Sequence, residues 1–140
     1  MWRNIRVASA VAVLMPVIGG ISMAAAQEEP ESVNPGAVYE RLSDRYTEAQ
    51  REAYFESEVR GKHANWSMRV LDVQKGWWNY DISGRIGKGR EVLCKVDITP
   101  KSTAQMASLS KGSEIRCQGK IKFYTKFVGV TVLIDDAQVR

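Results

Sequence analysis

REVLCKVDITPKSTAQMASLSKGSEIRCQGKIKFY, residues 90–124, is the stretch on which the fold turns. In its first part Val92, Cys94, Val96 and Ile98 alternate with Glu91, Leu93, Lys95 and Asp97. That period of two belongs to a strand with one face turned inward. Pro100 stops the strand, and STAQMASL (102–109) predicts a short helix with Met106 and Leu109 towards the core. Lys111–Gly112 then turns the chain into a strand whose inward row is Ile115, Cys117, Gly119 and Ile121.

Upstream, VRGKHANWSMRVLDVQKG (59–76) predicts another strand. Ala64, Trp66, Met68 and Val70 share a face, while Leu71 and Val73 fall out of phase with them. Such a slip marks a bulge near Val70–Leu71, a device that bends a strand around a small barrel. WWNYDISGRI (77–86) follows the Lys75–Gly76 turn as a second strand, and GVTVLIDDAQV (129–139) supplies the last. Three strands, a short helix and two strands are the order of an OB-fold, whose helix closes one barrel end between strands three and four. The expected class is therefore all-β: a small five-stranded OB-fold barrel over 59–140, with a helix ahead of it.

LSKGSEIRCQGKI followed by VTVLIDDAQV resembles the carboxyl half of the tRNA-anti-like family of exported bacterial OB-fold proteins. The matching positions are Leu109, Lys111, Gly112, Ile115, Gly119, Lys120, Val132, Ile134, Asp136 and Ala137, within a likeness covering roughly residues 50–140. The resemblance implies the barrel. It implies no tRNA binding for exported members and carries over no catalytic residue.

The amino end has the three-part layout of a secretory signal peptide: Arg3 and Arg6, an apolar run from Val7 to Met23, and Ala24, Ala25 and Ala26 before Gln27. Pro16, Gly19 and Gly20 interrupt the run, so cleavage is favoured over an uncleaved anchor and no stable membrane span is expected afterwards. The location read from this is periplasmic or secreted. Residues 1–26 are the expected signal, QEEPESVNPG (27–36) a flexible linker, and 37–58 an acidic helical segment. In that segment Val38, Leu42 and Tyr46 share one helical face. Thr47 and Gln50 suggest a capping box for a second helical piece, with a stripe of Ala49, Ala53 and Tyr54 or Phe55. Residues 28–58 hold nine acidic and three basic side chains, whereas 59–140 hold seven and fifteen. An acidic leader thus precedes a basic domain.

Export permits a disulfide between Cys94 and Cys117, both on inward rows. Two buried thiols or an intermolecular role are the alternatives, and no CxxC spacing suggests redox catalysis. SGRIGKGREV (83–92) lacks the full phosphate-loop spacing, so Gly84, Gly87 and Gly89 are assigned to the turn between strands two and three.

OB domains take ligands across strands two and three, bordered by the loops after strand one and between strands four and five. The first loop region supplies Lys75, Trp77, Trp78 and Tyr80; the second supplies Phe123, Tyr124, Lys126 and Phe127. We read the two as converging on one aromatic rim, with packing against the amino-terminal helix as the competing role for these rings. The partner expected is a periplasmic protein or peptide. An anionic polymer or oligosaccharide on the basic barrel face is the alternative, a structural accessory role the second, and export argues against nucleic acid. His63 is the sole histidine, and Asp135 and Asp136 point to alternating faces. No catalytic constellation, metal set or cofactor motif emerges, and the chain is not read as an enzyme.

Overall fold

The computed structural model describes residues 31–140, so the signal-peptide reading and the start of the linker lie outside the described residues. The elements are α1 (Pro35–Arg41), α2 (Glu48–Tyr54) continuing into a π-helical turn at Phe55–Val59, β1 (His63–Lys75), β2 (Asn79–Gly87), β3 (Arg90–Asp97), α3 (Pro100–Ser108), β4 (Glu114–Lys126) and β5 (Val130–Val139). The five strands close into a barrel in the order β1-β2-β3-β5-β4. β3 and β5 run parallel and the other neighbours antiparallel. This is the OB arrangement, with α3 between β3 and β4.

β1 serves two partners. From His63 to Arg69 it pairs with β4, and from Arg69 to Lys75 with β2. The register shifts between Val70 and Asp72, the bulge anticipated from the phase slip. Trp66, Met68, Val70, Ile82, Val92, Ile121, Val132 and Ile134 fill the interior.

Cys94 and Cys117 form a disulfide with Cα atoms 6.5 Å apart. The strands carrying them are not hydrogen-bonded neighbours. The bridge joins two inward rows across the barrel interior.

Two glycines admit close neighbours. A Cβ on Gly119 would lie 2.5 Å from the Asp135 carbonyl oxygen, where β4 and β5 shift register. A Cβ on Gly84 would strike the Met68 sulfur at 2.5 Å. Gly84 therefore belongs to the interior of β2 and not to the following turn, which is made by Lys88 and Gly89, with Gly89 at φ +73°.

Within the expected linker, the described residues from Ser32 to Pro35 are engaged with β1 and α1. Ser32 bridges His63, the Val33 amide donates to the His63 carbonyl at 3.0 Å, and Asn34 caps α1 through the Ala37 amide with Pro35 in the first turn. The helical segment starts at Pro35 and packs differently from its predicted stripe. Val38, Tyr39, Leu42, Phe55 and Val59 are buried, while Ala49 and Ala53 are exposed and Tyr46 and Tyr54 half-buried. The Thr47–Gln50 capping box is present. Both helices end near Leu42 and Phe55, so the buried set comes from helix ends as well as faces.

Candidate functional site

The aromatic residues fall into a covered group and an uncovered one. Tyr39 packs on Trp66 with centroids 5.8 Å apart, and its hydroxyl donates to the Glu91 carbonyl. Burial holds the Tyr39 hydroxyl above the ordinary tyrosine range, opposed in part by the Val132 backbone. Phe55 packs on Tyr124 at 4.8 Å. Tyr124 is thus cover for the helix. Lys126 is likewise engaged: its ammonium bonds Asp44 and holds that carboxyl below the usual range. Tyr80 is buried, with its hydroxyl 3.0 Å from Thr103 Oγ1, and supports α3.

Among the described residues Trp77, Trp78 and Phe127 are the strongly exposed aromatics, at 89%, 82% and 89%, and Phe123 is marginal at 39%. Neither Trp belongs to β2, because the turn occupies Gly76–Trp78 and the strand begins at Asn79. The turn is held at its base: the Gly76 amide donates to the Asn79 carbonyl at 2.8 Å, and the Ile98 amide to the Trp78 carbonyl at 3.3 Å. Both indoles are presented, where alternation along a strand allowed for one.

The two aromatic loops do not converge. The Trp77–Trp78 turn is tied to Ile98, just past the carboxyl end of β3. The Phe127–Gly129 loop lies beside Gly89, at the start of β3, where the Val130 amide donates to the Gly89 carbonyl at 3.2 Å. The length of β3 separates them, about 23 Å for its eight residues. Sequence adjacency to loops gave no register, and the register is what places them apart.

Between these ends, the outer face of β2 and β3 carries matched charges. Lys95 pairs with Asp81 at 3.3 Å and Arg85 with Glu91 at 3.3 Å; beside them Arg69 faces Glu114 at 3.7 Å. These pairs neutralise Arg69, Arg85 and Lys95 of the expected basic face. Lys62, Lys75, Lys88 and Lys120 make no ion pair among the described residues.

A groove of about 900 Å³ opens at the Phe127 end. Ser67 and Leu71 form one side, Ile86 and Lys88 of the β2–β3 hairpin another, and Phe127 and Val128 the rim. Sequence reading found Phe127 but missed Ser67, Leu71 and Ile86. The register of β1 on β2, with Arg69 opposite Arg85, brings these three together, and the bond from Val130 to Gly89 sets the Phe127 loop beside them; no spacing in the chain encodes either.

Comparison of the chain with protein-family models and with curated proteins gives no match. The likeness to tRNA-anti-like domains therefore rests on the residues quoted above. Among the described residues no group of three or more His, Cys, Asp or Glu is placed to hold a metal, and no helix is long and apolar enough to cross a membrane. His63 begins β1 half-buried, with its Nε2 lacking a hydrogen-bond partner.

Proposed function

We propose that the protein is an exported, non-catalytic OB-type binding module of the tRNA-anti-like kind, contacting a periplasmic protein or peptide through its exposed aromatic side chains. The observation that carries this reading is the Trp77–Trp78 turn. Two large side chains stand 89% and 82% exposed on a backbone already tied to Asn79 and Ile98. Preorganised aromatic anchors contribute strongly to association because little conformational freedom remains to be lost. Lys75 adjoins them, and Phe127 marks the far end of the β2–β3 face. Of the eight residues expected at a rim, Tyr80, Tyr124 and Lys126 serve the framework, leaving Lys75, Trp77, Trp78 and Phe127 as the main contacts and Phe123 as a lesser one.

Lys62, Lys75, Lys88 and Lys120, without ion pairs among the described residues, favour a second reading, binding of an anionic polymer or oligosaccharide. The neutral pairs on β2 and β3 weigh against it for that face.

Affinity co-purification from a cell-envelope extract at low and high salt separates the two. A discrete protein retained at high salt and lost from Trp77→Ala/Trp78→Ala is the expected result. Polymer recovered at low salt alone, and equally by the variant, would replace the protein-contact reading with the charge reading.

A further inference from the structure

The groove beside Phe127 meets an interruption in the edge of β1. Arg116 exchanges backbone hydrogen bonds with Arg140 at 2.9 and 3.0 Å, so its amide and carbonyl face away from β1. Ser67 is the residue opposite Arg116, and antiparallel pairing turns the Ser67 backbone groups away from β4 as well. On that outer side β2 begins pairing only at Arg69. Towards the amino end, the same edge is already occupied by the chain itself: the His63 carbonyl accepts from Val33, and the Asn65 amide donates to Ser32 Oγ at 2.9 Å. The edge thus accepts extended backbone at His63 and Asn65, is covered by β2 from Arg69, and among the described residues has no strand pair on its outer side at Ser67, which lines the groove.

We infer that this gap is a second binding site, which takes a short extended segment of a partner polypeptide by strand addition to β1. The occupant bonds through its backbone to the Ser67 amide and carbonyl, as main-chain pairing supplies affinity in such additions. Its apolar side chains rest on Leu71, Ile86 and Phe127, and an acidic side chain faces Lys88, the groove cation without an ion-pair partner among the described residues. Continuity with the Ser32–Val33 addition favours a peptide strand over a small apolar ligand. The site is independent of the Trp77–Trp78 turn.

A random peptide display library selected against the disulfide-bonded protein supplies the probe, and bound peptides are mapped by amide hydrogen exchange and binding titration. The expected peptides are extended, apolar and acidic. They slow exchange at Ser67, bind about tenfold more weakly to Phe127→Ala and to Ser67→Pro, and lose their acidic preference with Lys88→Glu. Proline is tolerated where a strand amide faces outward, and N-methylation of the peptide at each amide in turn gives a test that leaves the protein intact. One methylated position abolishes binding if the Ser67 carbonyl accepts from it. No enrichment of peptides, binding indifferent to every N-methyl group, or exchange at Ser67 left unslowed would overturn the strand-addition site. Trp77→Ala/Trp78→Ala leaves these peptides bound, so this result is read separately from the aromatic-contact reading.

Discussion

The two ends of β3 both carry aromatic residues, and apart from the exposed Phe127 those near Arg90 are covered, while the two indoles near Asp97 are not. Near Arg90, the α1–α2 segment covers the barrel: Tyr39 lies on Trp66, Phe55 on Tyr124, and Asp44 reaches Lys126. Near Asp97, the covering element is α3, which takes up Tyr80 through Thr103 and leaves Trp77 and Trp78 outside. Composition does not separate these cases. What separates them is whether another element's apolar residues arrive at the same place, so an aromatic is structural where a partner exists in the chain and available where none does.

The comparison predicts unequal responses to truncation. Phe55→Ala removes a fully buried ring from the covered end and is expected to cost about 3–5 kcal/mol, lowering Tm by roughly 10 °C or more. Thermal unfolding followed by circular dichroism checks it. A near-wild-type Tm would mean that α2 is dispensable to the barrel and that the two ends do not differ in the manner described.

The disulfide comes next. Cys94→Ala/Cys117→Ala opens a bridge with a sequence separation of 23, and the loss of unfolded-chain constraint amounts to about 3 kcal/mol in urea unfolding. A change below about 1 kcal/mol would show that barrel packing alone fixes these strands. Gly119 adjoins the same core, and its close approach to Asp135 makes Gly119→Ala an overpacking change of about 1–3 kcal/mol.

Most of the barrel was legible because its signals are local. Alternation in Arg90–Ile98, the phase slip after Val70 and the proline after Thr99 each act over a few residues, and β3, the β1 bulge and α3 follow them. Cys94 and Cys117 were also readable as inward residues, although their meeting across the barrel needed its curvature. The site was less legible. Whether Tyr124 is covered depends on Phe55, far away in sequence, and whether Phe127 lies near Trp77 depends on strand register. Tyr39 was overlooked because a helical stripe through Val38 and Leu42 gives no weight to a neighbour whose burial comes from Trp66.

Tyr39 offers a finer test of the covered end. Tyr39→Phe keeps the ring and loses the bond to the Glu91 carbonyl, for about 0.5–1.5 kcal/mol. The hydroxyl's pKa is raised by burial, so the folded state favours its neutral form. Its contribution is complete below the unfolded tyrosine pKa of about 10 and is lost as pH rises from there towards the higher folded value. Stability of the parent should therefore fall more steeply above that pH than stability of Tyr39→Phe. Parallel alkaline profiles would place the charge-sensitive group elsewhere.

The smallest stability change belongs to the uncovered end. Trp77 and Trp78 are exposed and their turn is held by backbone bonds, so Trp77→Ala/Trp78→Ala should shift unfolding by no more than about 0.5 kcal/mol. Exposed indoles emit at long wavelength while Trp66, buried in the core, does not, so loss of the red-shifted part of the fluorescence with an unchanged Tm is the expected pair of observations. A loss of stability as large as that of Phe55→Ala would mean the indoles are covered in solution, and the contrast between the ends would disappear. An unchanged Tm accompanied by loss of a co-purifying partner would locate the energetic value of these rings outside the chain, because their removal would then leave the fold's stability intact and take away only the contact with the partner.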